Sequence, residues 1–301
     1  MNTNAEAKSE RPLVSVGAAQ RLVAWPVVAR VLRALVTWPF LLIYTFITLG
    51  PLIWMVILSF RTNTAVYKDP FALPNPFIWT NYTEVFQRTH FTTYFLNSCI
   101  VVTIALAGIV AVSSMAAYAF ARFSFRFSNI LFWAFMATLM VPNQVVLVPL
   151  FRTLGPLNLL DTRQGLIIVY VAFALPLSVY ILRAFFQTIP TELAEAAKID
   201  GADDWTTFWQ VMLPVGAPAV TAVATYQFIV LWNEFLFAVV LIRNDALRTL
   251  PLGQMQFNGE YNQDLAGMAA ALTLAALPVL LLYILFADQF QRGMSAGAVK
   301  G

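Results

Sequence analysis

Charge is the scarcest property of this chain. Asp, Glu, Lys and Arg together make up 11% of its 301 residues, against roughly a quarter in a soluble domain. So few charges cannot cover a water-facing surface, which excludes an ordinary soluble enzyme or a disordered tail. The net charge of +3 is too small for a surface that tracks nucleic-acid phosphates. Cysteine occurs once, at Cys99, so no intrachain disulfide or cysteine-based metal site can form. Histidine also occurs once, at His90, which argues against a His-ligated metal centre and leaves no nucleophile–base set for covalent catalysis. Both residues read as packing or loop filling. The chain has no Gly-Lys pair, and so lacks the loop that cradles ATP phosphates.

Apolar residues make up 60% of the chain, and they are not scattered. Six stretches contain no Asp, Glu, Lys or Arg: 34–60, 89–121, 127–151, 164–182, 205–233 and 265–287. A membrane-crossing helix needs about 20 mostly apolar residues, and all but 164–182 clear that length. Backbone in lipid must satisfy its own hydrogen bonds, and the ten-residue alternation of a membrane barrel is missing, so these are helices. Trimmed for turns and polar ends, the spans read 37–59, 98–120, 129–150, 165–186, 217–241 and 267–287. The expected fold class is an all-α membrane protein with six transmembrane helices.

Residues 1–20 lack the apolar core and cleavage site of a signal peptide. The segment 21–35 mixes arginine with apolar residues and reads as lying at the membrane surface before the first span. With the N-terminus inside, cytosolic segments carry 11 of the 18 Lys and Arg residues, among them Arg122, Arg126, Arg183 and Lys198. This bias places both termini in the cytosol of a multi-pass inner-membrane protein. Residues 60–97, rich in proline and aromatics, read as an ordered extracytoplasmic loop. The polar segment 242–266 is a second such loop, fit to touch a soluble partner or a solute. Prolines inside the spans (Pro39, Pro51, Pro142, Pro149, Pro176 and Pro278) predict kinks. Small residues crowd the second and last spans and permit close helix contact.

The inner segment 187–216 is too long for a turn. Thr191 reads as an N-cap, Glu192 and Glu195 lie near the positive end of a helix dipole, and Glu195 pairs with Lys198 at i,i+3. Gly201 supplies the positive φ that ends the helix, and Asp203 caps a second helix running to Leu213-Pro214. Leu193, Ala196, Ala197 and Asp200 share one small, flat face suited to a groove on another protein. Two Glu and three Asp make this a poor fit to anionic headgroups.

Glu195-Ala196-Ala197, three residues, Gly201, nine residues and Val211-x-Leu213-Pro214 resemble the EAA loop of ABC-importer permeases, with Val211 where the family has Ile. Around it, Asn81-Tyr82, Asn97-Ser98, Met140-Val141-Pro142, Ile199 to Ala202, Trp232 to Phe235, Thr249 to Pro251 and Gly297 to Gly301 resemble the carbohydrate-uptake type, in particular the smaller permease of maltose-type transporters. The resemblance covers roughly 36–301. It implies a type I ABC transmembrane domain, with a cytosolic extension (1–35), a first span (36–60), an extracytoplasmic loop (61–95), a five-helix core (96–288) and a cytosolic tail (289–301). It implies a coupling helix whose Glu195, Ala196, Ala197, Asp200, Gly201 and Ala202 meet an ATPase, and a tail, Lys300 and Gly301, that reaches toward the same ATPase dimer. The implied partners are a second permease in a heterodimer, a cytosolic ATPase dimer and an extracytoplasmic solute-binding protein, with lipid around the spans and no nucleic acid. No cofactor is expected in this chain; ATP and Mg belong to the ATPase. Docking moves force into the spans, which rock between inward-open and outward-open states.

Glu234 is the one acidic residue expected inside a span, with Asn233 beside it. Charge at depth faces a cavity or a partner, so the pair reads either as solute-pathway lining or as a structural hydrogen bond. Two function classes follow. One is a permease subunit of an ABC importer for a sugar, oligosaccharide, polyol or glycerol phosphate. The other is an ion-coupled secondary transporter, which calls for several buried ionisable groups and an inverted repeat. Non-transporting scaffolding is a third, weaker reading.

Overall fold

The computed structural model describes residues 16–257 and 264–298, all helix and loop with no strand among them. The chain divides into two compact units, residues 1–55 and 56–301. The described part of the first unit belongs to one long helix, α1 (Val16–Ser59), which ends in the second unit. The helix is continuous through residues 21–35, which the sequence suggested were a separate surface segment. Nothing between Leu35 and Val36 caps or breaks it, and Pro26, Pro39 and Pro51 each forgo a backbone bond without ending the helix. Its side chains from Leu35 to Leu49 are uncharged and exposed, as a lipid-facing helix requires.

The second unit carries α2 (Asn63–Lys68), α3 (Thr80–Arg88), α4 (Phe91–Arg122), α5 (Ser128–Ala137), α6 (Asn143–Leu154) and α7 (Arg163–Phe186). After them come α8 (Thr191–Ile199), α9 (Asp204–Thr207), α10 (Leu213–Val215), α11 (Ala217–Trp232), α12 (Leu236–Leu241), α13 (Leu250–Gly253) and α14 (Leu265–Ala298). Among the described residues, four helices are long and apolar enough to cross a membrane: Leu35–Ser59, Phe91–Arg122, Arg163–Phe186 and Leu265–Phe286. Two bent pairs, Ser128–Met140 with Asn143–Leu154 and Asp204–Val215 with Ala217–Trp232, raise the number to six if each counts as one span. Helix α4 begins at Phe91, ahead of the boundary at 96 drawn from sequence.

Two expected spans are not continuous helices. The stretch 129–150 breaks after Met140 and turns by 105°. Val141 takes an extended conformation (φ −86°, ψ 118°) because the ring of Pro142 disfavours the helical region for the residue before it. The stretch 217–241 stops at Trp232 and resumes at Leu236. No proline or glycine marks that second break; the side chain of Glu234 makes it, as shown below.

Helices α4 and α7 form the centre. Ala105, Ile109, Leu166, Val169 and Tyr170 meet between them, joined by Trp232, Leu241, Ala270 and Ala271 from later elements. In lipid there is little hydrophobic drive between helices, so close van der Waals contact holds them. Ala105, Ala117, Ala270 and Ala271 are fully buried, which is what their small size allows. A second cluster sits toward the other end of α4, where Ala117, Tyr118, Leu182, Phe186, Phe208 and Met212 pack together.

Candidate functional site: an exposed elbow and a cavity between broken helices

The segment 189–215 forms an elbow. Helix α8 starts after Pro190, whose extended backbone (φ −54°, ψ 139°) serves as the N-cap without a side-chain bond. Thr191 is therefore the first helical residue, not the cap. At the other end, Gly201 has φ 86°. The Ala202 N–H donates to the Ala197 carbonyl at 2.9 Å and the Gly201 N–H to the Lys198 carbonyl at 3.1 Å. This 6→1 and 5→2 pair is the Schellman closure, and it needs a left-handed residue at its corner. Asp203 then caps α9, its carboxylate accepting the Thr206 N–H at 2.7 Å. Hydrogen bonding from Thr206, its side chain first and this backbone N–H second, holds the Asp203 carboxyl below its ordinary range.

Lys198 does not pair with Glu195. Its Nζ lies 3.0 Å from Asp204 Oδ1 across the elbow. The turn at Gly201 brings the last turn of α8 against the first acid of α9, and this hydrogen bond pushes the Lys198 ammonium upward. Both partners are half exposed, so solvent screens the pair and it adds little to stability. The elbow is fixed from beneath. Arg122 Nη2, at the end of α4, donates to the Ile189 carbonyl at 2.7 Å. Phe208 and Met212 are buried in the turn Phe208–Met212 that follows α9.

No residue of α8 is buried. Ile199 is 87% exposed. Ala197, Asp200, Gly201 and Ala202 line a hollow of about 380 Å³ with Thr206, Gln210 and Val211, whereas Glu195 and Ala196 lie exposed outside that lining. An isolated nine-residue helix is marginal in water. Here both ends are tied and the outer surface is open.

The second feature is a cavity of about 440 Å³ whose walls include Phe135, Thr138, Tyr170, Pro176, Tyr226, Gln227, Glu234 and Phe237. It lies where helices are interrupted. Pro176 has no N–H, so the Ala172 carbonyl, also in the wall, receives no helical bond from it. Gln227 Nε2 donates to Ser178 Oγ at 3.0 Å and reaches the Ala174 carbonyl at 3.3 Å. Glu234 accepts three bonds: Tyr170 O–H at 2.7 Å, Phe237 N–H at 2.8 Å and Ala238 N–H at 3.3 Å. Its carboxylate thus starts α12 and ties that helix to α7. Asn233 is exposed outside the wall and donates to the Ile229 carbonyl of its own helix at 2.8 Å. Composition alone did not single out Tyr170 or Gln227; the only signal was a hydroxyl and an amide inside apolar runs.

At the opposite end of α4 from Arg122, Asn97 Nδ2 donates to the Ala246 and Arg248 carbonyls, both at 2.9 Å. Arg163 Nε donates to Asn97 Oδ1 at 3.0 Å, and the Leu250 N–H to Ser98 Oγ at 2.8 Å. The loop after α12 is thereby pinned to α4. Asn97 and Arg122 are separated by roughly 37 Å of helix at 1.5 Å per residue, enough to put loop and elbow on opposite sides of a 30 Å hydrocarbon core. Lys300 and Gly301 lie outside the described residues. No group of three or more His, Cys, Asp or Glu positioned for a metal occurs among the described residues.

Comparison with known proteins gives the same picture. Residues 108–296 match the family described as binding-protein-dependent transport system inner membrane component. The chain is 37% identical over 262 residues to the diacetylchitobiose uptake system permease protein of Streptomyces coelicolor, covering 86% of this chain and 87% of that one. It is 35% identical to the trehalose/maltose transport system permease protein of Thermococcus litoralis, covering 85% and 92%. A chain of a bacterial ABC transporter involved in the import of the acidic polysaccharide alginate shares the fold, with a TM-score of 0.74 at 23% identity over 93% of this chain and 100% of that one. With an exposed elbow at one end of α4, a pinned loop at the other and apolar helices between, this chain belongs to the binding-protein-dependent transport system inner membrane component family.

Proposed function

We propose that this chain is one permease subunit of an ATP-binding-cassette importer that carries a sugar or sugar-like solute across the cytoplasmic membrane. The solute class rests on the carbohydrate named for the two relatives above. In this reading each bent pair is one span, giving six, and both termini are cytosolic. The boundaries 1–35, 36–60, 61–95, 96–288 and 289–301 divide extension, first span, outer loop, core and tail. ATP and Mg are held by a separate ATPase dimer, and a second permease and an extracytoplasmic binding protein complete the assembly. The chain itself does no chemistry.

The observation that carries the reading is the elbow. Ala196, Ala197 and Glu195 on α8, with Asp200, Gly201 and Ala202 at its closure, form the surface that the ATPase engages; Lys300 and Gly301 are assigned to the same partner. Arg122 ties the start of that element to α4, so a displacement of α8 passes into the core. The cavity beside α7 is the solute pathway, with Glu234 part of its wall and Asn233 outside it.

The test is Gly201→Asp. A Cβ at Gly201 meets nothing within 4 Å, so a side chain has room. The left-handed backbone adds about 1–2 kcal/mol of strain at an exposed turn, too little to unfold the subunit. The variant is expected in the membrane at normal abundance, with ATP hydrolysis no longer driving uptake. Normal uptake would refute the docking assignment.

A further inference from the structure

The loop between α1 and α3 carries a second surface that transport does not use. Arg61 follows directly on the last apolar turn of α1, and it is 4% exposed. Its guanidinium donates to three backbone carbonyls: Ala65 at 2.8 Å, Asp69 at 2.7 Å and Pro70 at 3.1 Å. The other arm of the loop returns to the same point, where the Ile78 N–H donates to the Phe60 carbonyl at 2.8 Å. Asn81 Nδ2 bonds the Ser59 and Arg61 carbonyls, each at 2.8 Å. The Phe60 ring packs against Phe77, Trp79 and Tyr82, with centroids 5.7, 4.6 and 5.3 Å away. This is a built loop with both ends fixed at the end of a membrane-spanning helix.

Its apolar side chains stay largely exposed, Phe71 and Leu73 toward the tip and Phe77 and Trp79 at the base against Phe60. Phe71, Leu73, Phe77 and Trp79 are 84%, 73%, 61% and 66% exposed. Such a cluster in water marks an interaction surface. Reach decides the occupant. Residues 71–77 leave Pro70 and return to Ile78, so even a fully extended excursion ends within roughly 14 Å of the anchor. The Ala72 N–H folds back onto the Asp69 carbonyl at 3.4 Å and shortens it further. The headgroup layer on each side of the hydrocarbon is about 5–8 Å thick, so the tip stays at or just above it. Aromatic side chains flanked by cations are what that layer favours, and Lys68, Arg61 and Asp69 line a hollow of about 260 Å³ in this loop. The buried Arg61 is committed to its three carbonyls, so the exposed Lys68 is the cation the loop offers to lipid phosphates.

We propose that the loop at 67–79 is an interfacial anchor that seats Phe71, Leu73, Phe77 and Trp79 in the outer leaflet's headgroup region. The anchor would resist tilting of the first span's outer end while the core rocks. This reading rests on the orientation proposed above, with the N-terminus cytosolic; a failure of the importer reading alone would leave the depth of the labels unchanged.

Site-directed spin labelling tests it. The full-length chain, purified with its accompanying subunits and carrying Cys99→Ser, is labelled at Phe71→Cys or Leu73→Cys and reconstituted in phosphatidylethanolamine/phosphatidylglycerol vesicles. The control label sits at Asn244→Cys, an exposed position in the pinned loop. Collision rates with oxygen and with a water-soluble nickel complex are compared. The expected result is an oxygen-to-nickel ratio several-fold higher at 71 and 73 than at 244, unchanged by adding the capture protein. A ratio equal to the control would overturn the proposal. So would labels shielded from both reagents, or shielded only when the capture protein is present, since either outcome means protein covers the tip.

Discussion

Removing the Glu234 carboxylate gives the most direct check on how the cavity is built. Three donors converge on it. Tyr170 is 2% exposed, Phe237 4% and Ala238 0%, so none of these groups can turn to water when the acceptor is gone. A stranded buried donor costs about 1–3 kcal/mol, more where the lost acceptor was charged. For Glu234→Ala the weak third bond adds little, and the loss comes to roughly 3–5 kcal/mol. Glu234→Gln keeps an acceptor oxygen for the Phe237 N–H and an amide N–H that the Tyr170 hydroxyl can turn to accept, so it loses the charge and the Ala238 N–H bond, about 1–2 kcal/mol. Tyr170→Phe removes one donor and leaves the cap of α12 in place, for a similar loss. The two sites share a bond, so the double variant Tyr170→Phe/Glu234→Gln is expected to fall short of the summed single losses by about 1 kcal/mol or more. Thermal unfolding of the purified assembly, scored beside uptake over a range of solute concentrations, reads both consequences. A positioning role predicts that uptake falls in step with the unfolding temperature, with little change in KM. Glu234→Gln with an unchanged unfolding temperature but a markedly raised KM for uptake would refute the reasoning and make the carboxylate a solute ligand.

Asn97→Ala breaks two bonds to the 246 and 248 carbonyls and strands Arg163 Nε; hydrogen exchange should rise several-fold across 243–252 while the elbow stays protected as before. Gly253→Ala sets a methyl group against the Tyr94 ring, which is 1% exposed and cannot withdraw, so a loss of about 1–3 kcal/mol is expected and visible as a lower unfolding temperature. Asp203→Ala removes the cap of α9 and should loosen the elbow in limited proteolysis. Because the Asp203 carboxyl is held below its ordinary value, the cap's contribution is complete above the ordinary carboxylate range. It is lost only as pH falls through the lowered value, so elbow protection should be constant near neutrality and decline in strong acid. A decline between pH 6 and 8 would contradict the assignment.

Much of this protein follows from local features of the chain. Uncharged runs of about 20 residues can only be helices in lipid, and all of 164–182 and 265–287, with 34–59 and 91–121, lie in long helices. Gly201 was legible as a helix end because a left-handed corner admits few other residues, and Asp203 as a cap because its carboxylate needs only a neighbour three positions on. What the tertiary structure decided involves partners far apart in sequence. The break at residues 233–235 has no proline or glycine to announce it; it exists because a carboxylate caps α12 and bonds to Tyr170, 64 positions away. Lys198 pairs with Asp204 rather than Glu195 because the elbow's fold, not helical spacing, sets which acid it faces. The cavity joins walls from α5, α7, α11 and α12, and the outer loop is held by a buried arginine that hydropathy alone counts as a charge at a span's end. Hydropathy and capping act over a few residues and can be read along the chain. Cavities, helix breaks made by side chains and buried cations depend on which segments meet, and that is decided only when the helices pack.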